Sequence, residues 1–235
     1  MRKLMLIGGG SNGHGTSPYE TKEIDEEIVK MTNKANPVFL FIGLASKFSD
    51  SYYDIMKNIC QKLGCKTTYL KKKNIINNPD LVEKKISSAD IIYMSGGDTT
   101  KLVNTLKKYH IDELLFKAVD NGCVLSGISA GAIAISKSGL SDYQITQNIS
   151  DKYAFTDGLG ILNIDISPHA NDLKRIEDLK ESLKNTNKKV LCLDEGTALK
   201  VENNKFTIVK SIPSAKARYM YMDNNTFIEE EYQGN

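Results

Sequence analysis

Ser129 lies in Gly127-Ile128-Ser129-Ala130-Gly131, behind the apolar Val124-Leu125 and at the head of a run of small residues ending at Ile135. A strand, a sharp turn relieved by glycines and then a helix are what a nucleophile elbow needs to expose a serine hydroxyl. A helix starting just after Ser129 aims its free N–H groups and positive dipole end at developing negative charge, so the Ala130 N–H is a candidate oxyanion donor. The bland reading of the same residues is a glycine-rich turn with a capping serine.

A serine hydroxyl is a poor nucleophile until a base takes its proton, so the three histidines matter. His110 closes a Lys-rich amphipathic pattern and reads as a surface residue favourable to a helix C-terminus. His14, in the Gly8-Gly9-Gly10-Ser11-Asn12-Gly13-His14-Gly15 stretch, reads as a loop histidine. His169, in Ser167-Pro168-His169-Ala170, comes straight off the strand-like Ile161 to Ile166 and is the expected general base. Spacing alone leaves the orienting acid open among Asp142, Asp151, Asp157, Asp165 and Asp172, the first four of which fit the order serine, acid, histidine. Ser95-Gly96-Gly97-Asp98-Thr99-Thr100 ends another strand pattern and opens a helix, with Asp98 or Thr99 as N-cap and Gly97 as the candidate second oxyanion donor.

These residues need a frame, and the pattern supplies one. Short apolar runs (Leu4 to Ile7, Val38 to Ile42, Thr67 to Leu70, Ile91 to Met94, Val124-Leu125) alternate with helical stripes such as Ile55, Met56, Ile59, Cys60 and Leu63. That alternation predicts βαβ units around a parallel sheet, and near-continuous apolarity predicts helices on both of its faces. Residues 137–158 read as a polar loop. A charged helix over 172–184 and strands at Val190 to Leu193, Ala198 to Val201 and Phe206 to Val209 follow. The 235 residues fit one domain over 1–235, with no repeat or linker.

A formal charge of +2 gives no electrostatic case for a nucleic-acid or membrane partner, and Lys71-Lys72-Lys73 reads as a solvated loop. No signal-like or membrane-length apolar run occurs, so a cytoplasmic location is expected, with Cys60, Cys65, Cys123 and Cys192 as buried thiols. Gly8, Gly10 and Gly13 can be forced onto a dinucleotide fingerprint, but no helical pattern follows and Pro18 intervenes, so no nucleotide, metal or other cofactor is expected.

Taken together, the opening Lys-Leu-Met-Leu-Ile-Gly-Gly-Gly, the Gly-Gly-Asp-Thr turn, the Gly-Ile-Ser-Ala-Gly-Ala elbow, Gly158-Leu159-Gly160 and Ser-Pro-His-Ala resemble the peptidase E family. That family includes aspartyl dipeptidases and, more distantly, cyanophycinases, and the resemblance runs in order along nearly the whole chain. It implies a three-layer, mostly parallel α/β fold related to class I glutamine amidotransferases, flavodoxin-like, with serine in place of their cysteine. It further implies metal-free hydrolysis of short peptides, with Ser129 as nucleophile, His169 as base, Gly97 and Ala130 as oxyanion hole, and a homodimer as a candidate assembly. The family's acid lies between serine and histidine, and Gly139-Leu140-Ser141-Asp142 looks most like that segment, so Asp142 is the expected acid.

Two features depart from the family pattern. Asp98 stands where the family often has Asn, placing a carboxylate at the substrate site unless it turns into its capping role. An aspartyl dipeptidase also needs a cation for the substrate carboxylate, and Arg175, with Lys174 as substitute, is the candidate. The competing functions are an esterase-type hydrolase, which lacks support from any HGGG-type loop, and a catalytically silent binder of a small acidic ligand or peptide.

Overall fold

The computed structural model describes residues 2–13 and 15–235. The chain runs β1 (Lys3–Ile7), α1 (Lys22–Lys30), β2 (Val38–Ile42), α2 (Ser49–Lys62), β3 (Lys66–Leu70), α3 (Lys72–Asn77), α4 (Pro79–Ser87), β4 (Ile91–Met94), α5 (Thr99–Lys108), α6 (Ile111–Asp120), β5 (Val124–Ile128) and α7 (Ala130–Ile135). There follow β6 (Ser136–Ser141), α8 (Tyr143–Thr146), β7 (Ala154–Asp157), β8 (Leu162–Ser167), α9 (Leu173–Leu183), β9 (Val190–Leu193), β10 (Thr197–Glu202), β11 (Lys205–Lys210), β12 (Ala217–Asp223) and β13 (Thr226–Glu231).

The mixed α/β architecture matches the expectation, and the apolar runs form the parallel centre of a seven-stranded sheet in the order β11-β10-β1-β5-β4-β2-β3. Side chains alternate across it: Leu4 and Leu6 enter the core beneath α4 to α7, while Met5 and Ile7 enter the core beneath α1 and α2. Burial on both faces is why these strands read as unbroken apolar runs. A second, six-stranded sheet, β13-β12-β9-β8-β6-β7, shares the first of those cores and packs its other face under α9.

Every residue of α7 is buried. Six residues are too few to hold a helix by propensity, so packing holds it. The glycine at 131 makes this possible, because a Cβ there would come within 2.3 Å of the Met94 carbonyl oxygen.

Residues 137–158 are not a loop. They contain β6, α8 and β7, and the signal was hidden because β6 buries serines and a glycine around a single aliphatic residue, Leu140. Those hydroxyls are satisfied, Ser136 donating to the nearby Ile133 carbonyl at 2.9 Å and Ser141 to the distant Thr99 Oγ1 at 3.0 Å. Lys71-Lys72-Lys73 is also not a loop, since Lys72 opens α3, and α4 then starts at Pro79 with the Asn78 side chain accepting from the Leu81 N–H at 3.0 Å. The β10–β11 and β12–β13 hairpins turn on Asn203-Asn204 and Asn224-Asn225, all with positive φ, as primed hairpin turns require. Among the described residues, no helix is long and apolar enough to cross a membrane.

Candidate active site

Ser129 follows the last residue of β5, with φ 54 and ψ −111. Such a backbone costs of order 1–3 kcal/mol and persists only where its surroundings fix it. Here the Ser129 N–H donates to the Ile7 carbonyl at the end of β1, at 3.0 Å. Its hydroxyl is presented at the carboxyl end of the sheet, and the N–H of Ala130, at the first position of α7, has no intrahelical acceptor.

The partners of Ser129 come from neighbouring strand ends of the second sheet. β8 and β9 are parallel, with Ser167 opposite Cys192, so the chain beyond each places His169 beside the Asp194-Glu195-Gly196 turn. The Ser129 hydroxyl stands 2.9 Å from His169 Nε2, and His169 Nδ1 stands 2.7 Å from Glu195 Oε1. A proton on Nδ1 donated to Glu195 leaves Nε2 as acceptor for the serine hydroxyl. The His169 hydrogen bond, first, and its charge hold the Glu195 carboxyl below the usual range against the opposing effect of burial.

What gathers the three segments is the glycine loop after β1. The Ile7 carbonyl accepts from Ser129, the Gly8 carbonyl from the His169 N–H at 2.8 Å, and the Gly9 carbonyl from the Gly196 N–H at 3.0 Å. Gly9 has φ +147, and a Cβ on it would lie 2.6 Å from both Cε1 and Nδ1 of the imidazole and 3.0 Å from Glu195 Cγ. The stretch that superficially suggested phosphate binding is therefore a platform on which His169 and Glu195 lie. His14, in the same stretch, lies outside the described residues.

The sheet supports this arrangement from behind through Arg218. Its guanidinium pairs with Asp194, donates to the Ala170 carbonyl at 3.0 Å and reaches Glu229 at 3.1 Å. Ala170 and Asp194 are the chain neighbours of His169 and Glu195, so one cation ties both loops to β12.

The Ser95–Asp98 turn faces Ser129 from β4. A Cβ on Gly96 would lie 3.4 Å from Ser129 Cβ, and Gly97 packs its Cα against the Ala45 carbonyl with φ +134. Asp98 has turned into its capping role: Oδ1 accepts from the Lys101 N–H at 2.9 Å and the Thr100 hydroxyl at 2.7 Å, and Oδ2 from Gln147 at 3.0 Å. Both of its oxygens are engaged within the protein. Ser129 and His169 open into a cavity of about 410 Å³ bounded by Ser46, Phe48, Tyr52, Ile55 and Asn12. Among the described residues, no cluster of three or more His, Cys, Asp or Glu is placed to hold a metal ion.

Asp142 is not the carboxylate on His169. Both ring nitrogens already have partners, and Asp142 sits at the N-cap position of α8 with its carbonyl accepting from Thr146. Asp165 is tied to Ser138 and, at 2.9 Å, to Lys188; Asp172 caps α9 and accepts from Tyr153 at 2.9 Å; Asp157 is exposed at the end of β7. Glu195 lies outside the order serine, acid, histidine that points to Asp142, because it follows His169 in the chain. The available signal was an acidic pair and a glycine between two apolar strands, Asp194-Glu195-Gly196. Triads are defined by geometry and role, not by sequence order.

Arg175 is not in the cavity either. It is 4% exposed, donates to the Leu140 carbonyl at 2.7 Å and lies 4.2 Å from the Tyr153 ring centroid, so it packs α9 onto β6. Lys174 reaches the Asp151 carbonyl. His110 is exposed between α5 and α6, 3.0 Å from Glu113.

The model of peptidase family S51 matches residues 4–209. The sequence is 29% identical to the uncharacterized peptidase YgaJ of Bacillus subtilis over 97% of this chain and 96% of that one. It is 30% identical to a peptidase E of Streptomyces coelicolor across a match spanning 52% of each chain. A crystal structure of a peptidase from an acI-B1 Actinobacterium shares the fold with a TM-score of 0.73 at 23% identity, covering 99% of this chain and 97% of the other. A putative peptidase E protein from Listeria monocytogenes does so with a TM-score of 0.67 at 19% identity, covering 89% and 98%. Matched across nearly its whole length by one family pattern, this chain belongs to peptidase family S51 and is a serine-type peptidase.

Proposed function

We propose that the chain hydrolyses short peptides through a Ser129–His169–Glu195 triad and an acyl-enzyme. The observation that carries this reading is the unbroken line from the Ser129 hydroxyl through the imidazole to Glu195, with heavy-atom separations of 2.9 and 2.7 Å. His169 Nε2 takes the hydroxyl proton as Ser129 attacks the peptide carbonyl. Glu195 stabilises the imidazolium that forms, and His169 returns the proton to the leaving amine. The oxyanion is met by the N–H of Ala130, supported by the α7 dipole, and by the N–H of Gly97 from the facing turn. Water, activated by the same imidazole, then releases the acid. A cytoplasmic setting belongs to the same reading, in keeping with four buried, unbridged cysteines.

The test is peptide hydrolysis by wild type and Ser129→Ala across a library of di- and tripeptides. Loss of roughly 10⁴–10⁶ in kcat with the fold intact is expected. Turnover retained in the variant, or wild-type turnover of esters but of no peptide, would overturn the assignment.

A further inference from the structure

The cavity that Ser129 and His169 open into has a chemistry of its own. Part of its wall is built from α2 and the turn before it: Phe48, Tyr52 and Ile55 supply apolar surface, and Ser46 and Ser49 complete it. Ile128 lies beside the nucleophile. No Lys or Arg is among these lining residues.

The lining amide, Asn12, is already occupied. Its Oδ1 accepts from the Tyr52 hydroxyl at 2.6 Å, and its Nδ2 donates to Thr21 Oγ1 at 2.6 Å and faces Asp25 Oδ2 at 3.4 Å. Behind Asn12 stands Asp25, 3% exposed, a carboxyl that already accepts from Thr21, Tyr19 and Asn12. A substrate carboxylate entering this cavity would lose water and find no Lys or Arg among the described lining residues, whereas an apolar side chain gives up no hydration of a charge. Lys47, between the lining residues Ser46 and Phe48, is exposed and lies 5.3 Å from the Phe48 ring centroid. A solvated lysine of that kind contributes little to ion pairing.

We infer that the substrate residue whose side chain enters this cavity, next to the scissile bond, is uncharged and apolar, with Phe48, Tyr52 and Ile55 as its specificity-determining contacts. The inference rests on the proposed peptidase function and names its substrate class: short peptides led or followed at the scissile bond by Leu, Met or Phe, in place of the acidic residue that the family resemblance suggested. Phe48, 67% exposed, would lose much of that exposure to such a side chain.

The experiment measures kcat/KM for two dipeptide series, X-Leu and Leu-X, with X as Phe, Leu, Met, Asn, Asp and Lys, by release of free amino acid. At one of the two positions the best apolar X should exceed Asp by about 100-fold or more, because a pocket with no partner for a buried charge discriminates far more strongly than one missing a methylene. Two variants report on the wall. Phe48→Ala, at an exposed position, should lower kcat/KM for the best apolar X by roughly tenfold, the size expected for one lost apolar contact, and shrink the apolar-to-Asn ratio. Ile55→Arg, which puts a cation into the cavity, should reduce the apolar-to-Asp ratio at least tenfold. Asp preferred at both positions would overturn the inference while leaving the peptidase reading intact, and an Asp preference abolished by Lys47→Ala would do so by assigning recognition to the rim. Hydrolysis of no dipeptide, with Ser129 also unreactive, would overturn both.

Discussion

Replacing Gly9 by alanine strikes the point on which the site rests without touching any of its three functional side chains. The new methyl would sit 2.6 Å from two imidazole atoms of His169 and 3.0 Å from Glu195 Cγ. Carbon contacts settle near 3.5–4.0 Å, so the imidazole must retreat by about 1 Å. Such a retreat carries Nε2 from its 2.9 Å approach to the serine hydroxyl to beyond hydrogen-bonding range. Misplacement of about 1 Å typically costs roughly 10²-fold in rate. Alanine at φ +147 adds backbone strain of order 1–3 kcal/mol, which should lower the melting temperature while the protein still folds. The assay is kcat on the best dipeptide, with circular dichroism and a thermal melt on the same preparation. A Gly9→Ala protein with kcat within threefold of wild type would refute the claim that the glycine loop is the platform for His169 and Glu195.

Other predictions follow from single contacts. Glu195→Gln should lower kcat roughly 10⁴-fold, as loss of the orienting carboxylate does in other triads, while Asp142→Asn stays within about threefold; the reverse order would restore the acid expected from sequence. Arg218→Met should leave the 11%-exposed Asp194 carboxylate without its cation, costing about 3 kcal/mol in a denaturant titration and lowering kcat along with it; a stability change under 1 kcal/mol would contradict the anchoring role. Asp25 is buried, and desolvation pushes its carboxyl up to about 7 against hydrogen bonds from Thr21, Tyr19 and Asn12. A raised carboxyl binds its proton more tightly folded than unfolded, so its contribution is full below the unfolded value near 4 and is lost as pH rises through about 7. Asp25→Asn should therefore stabilise the protein by a few kcal/mol at pH 8 and progressively less as the melt is taken down to pH 5. A stability difference independent of pH would contradict the buried-acid account.

The legibility of this chain in its sequence divides along physical lines. Strands buried on both faces, such as Val38 to Ile42 and Ile91 to Met94, declare themselves because burial demands aliphatic side chains. The elbow was readable for a similar reason: Gly131 must be small to let α7 meet Met94, and that constraint leaves a local pattern. β6 was not readable, because apart from Leu140 its buried side chains are serine and glycine, and Ser141 finds its partner far along the chain in Thr99. Glu195 carried only a weak local signal, for a further reason. Its role depends on β8 and β9 being parallel neighbours, a long-range fact, and on the Gly9 carbonyl fixing the turn at Gly196. Arg175 shows the opposite failure. A cation six residues beyond His169 suggested a substrate reader, but α9 turns its side chain back onto Leu140 and Tyr153.

The central claim is that Ser129 is a nucleophile activated by His169. Its most direct test is incubation with a fluorophosphonate followed by mass-spectrometric mapping of the modified residue. The account predicts a single adduct on Ser129, formed at a rate that falls at least 10³-fold in His169→Ala. A folded protein that forms no adduct, or one labelled equally well without His169, would contradict it.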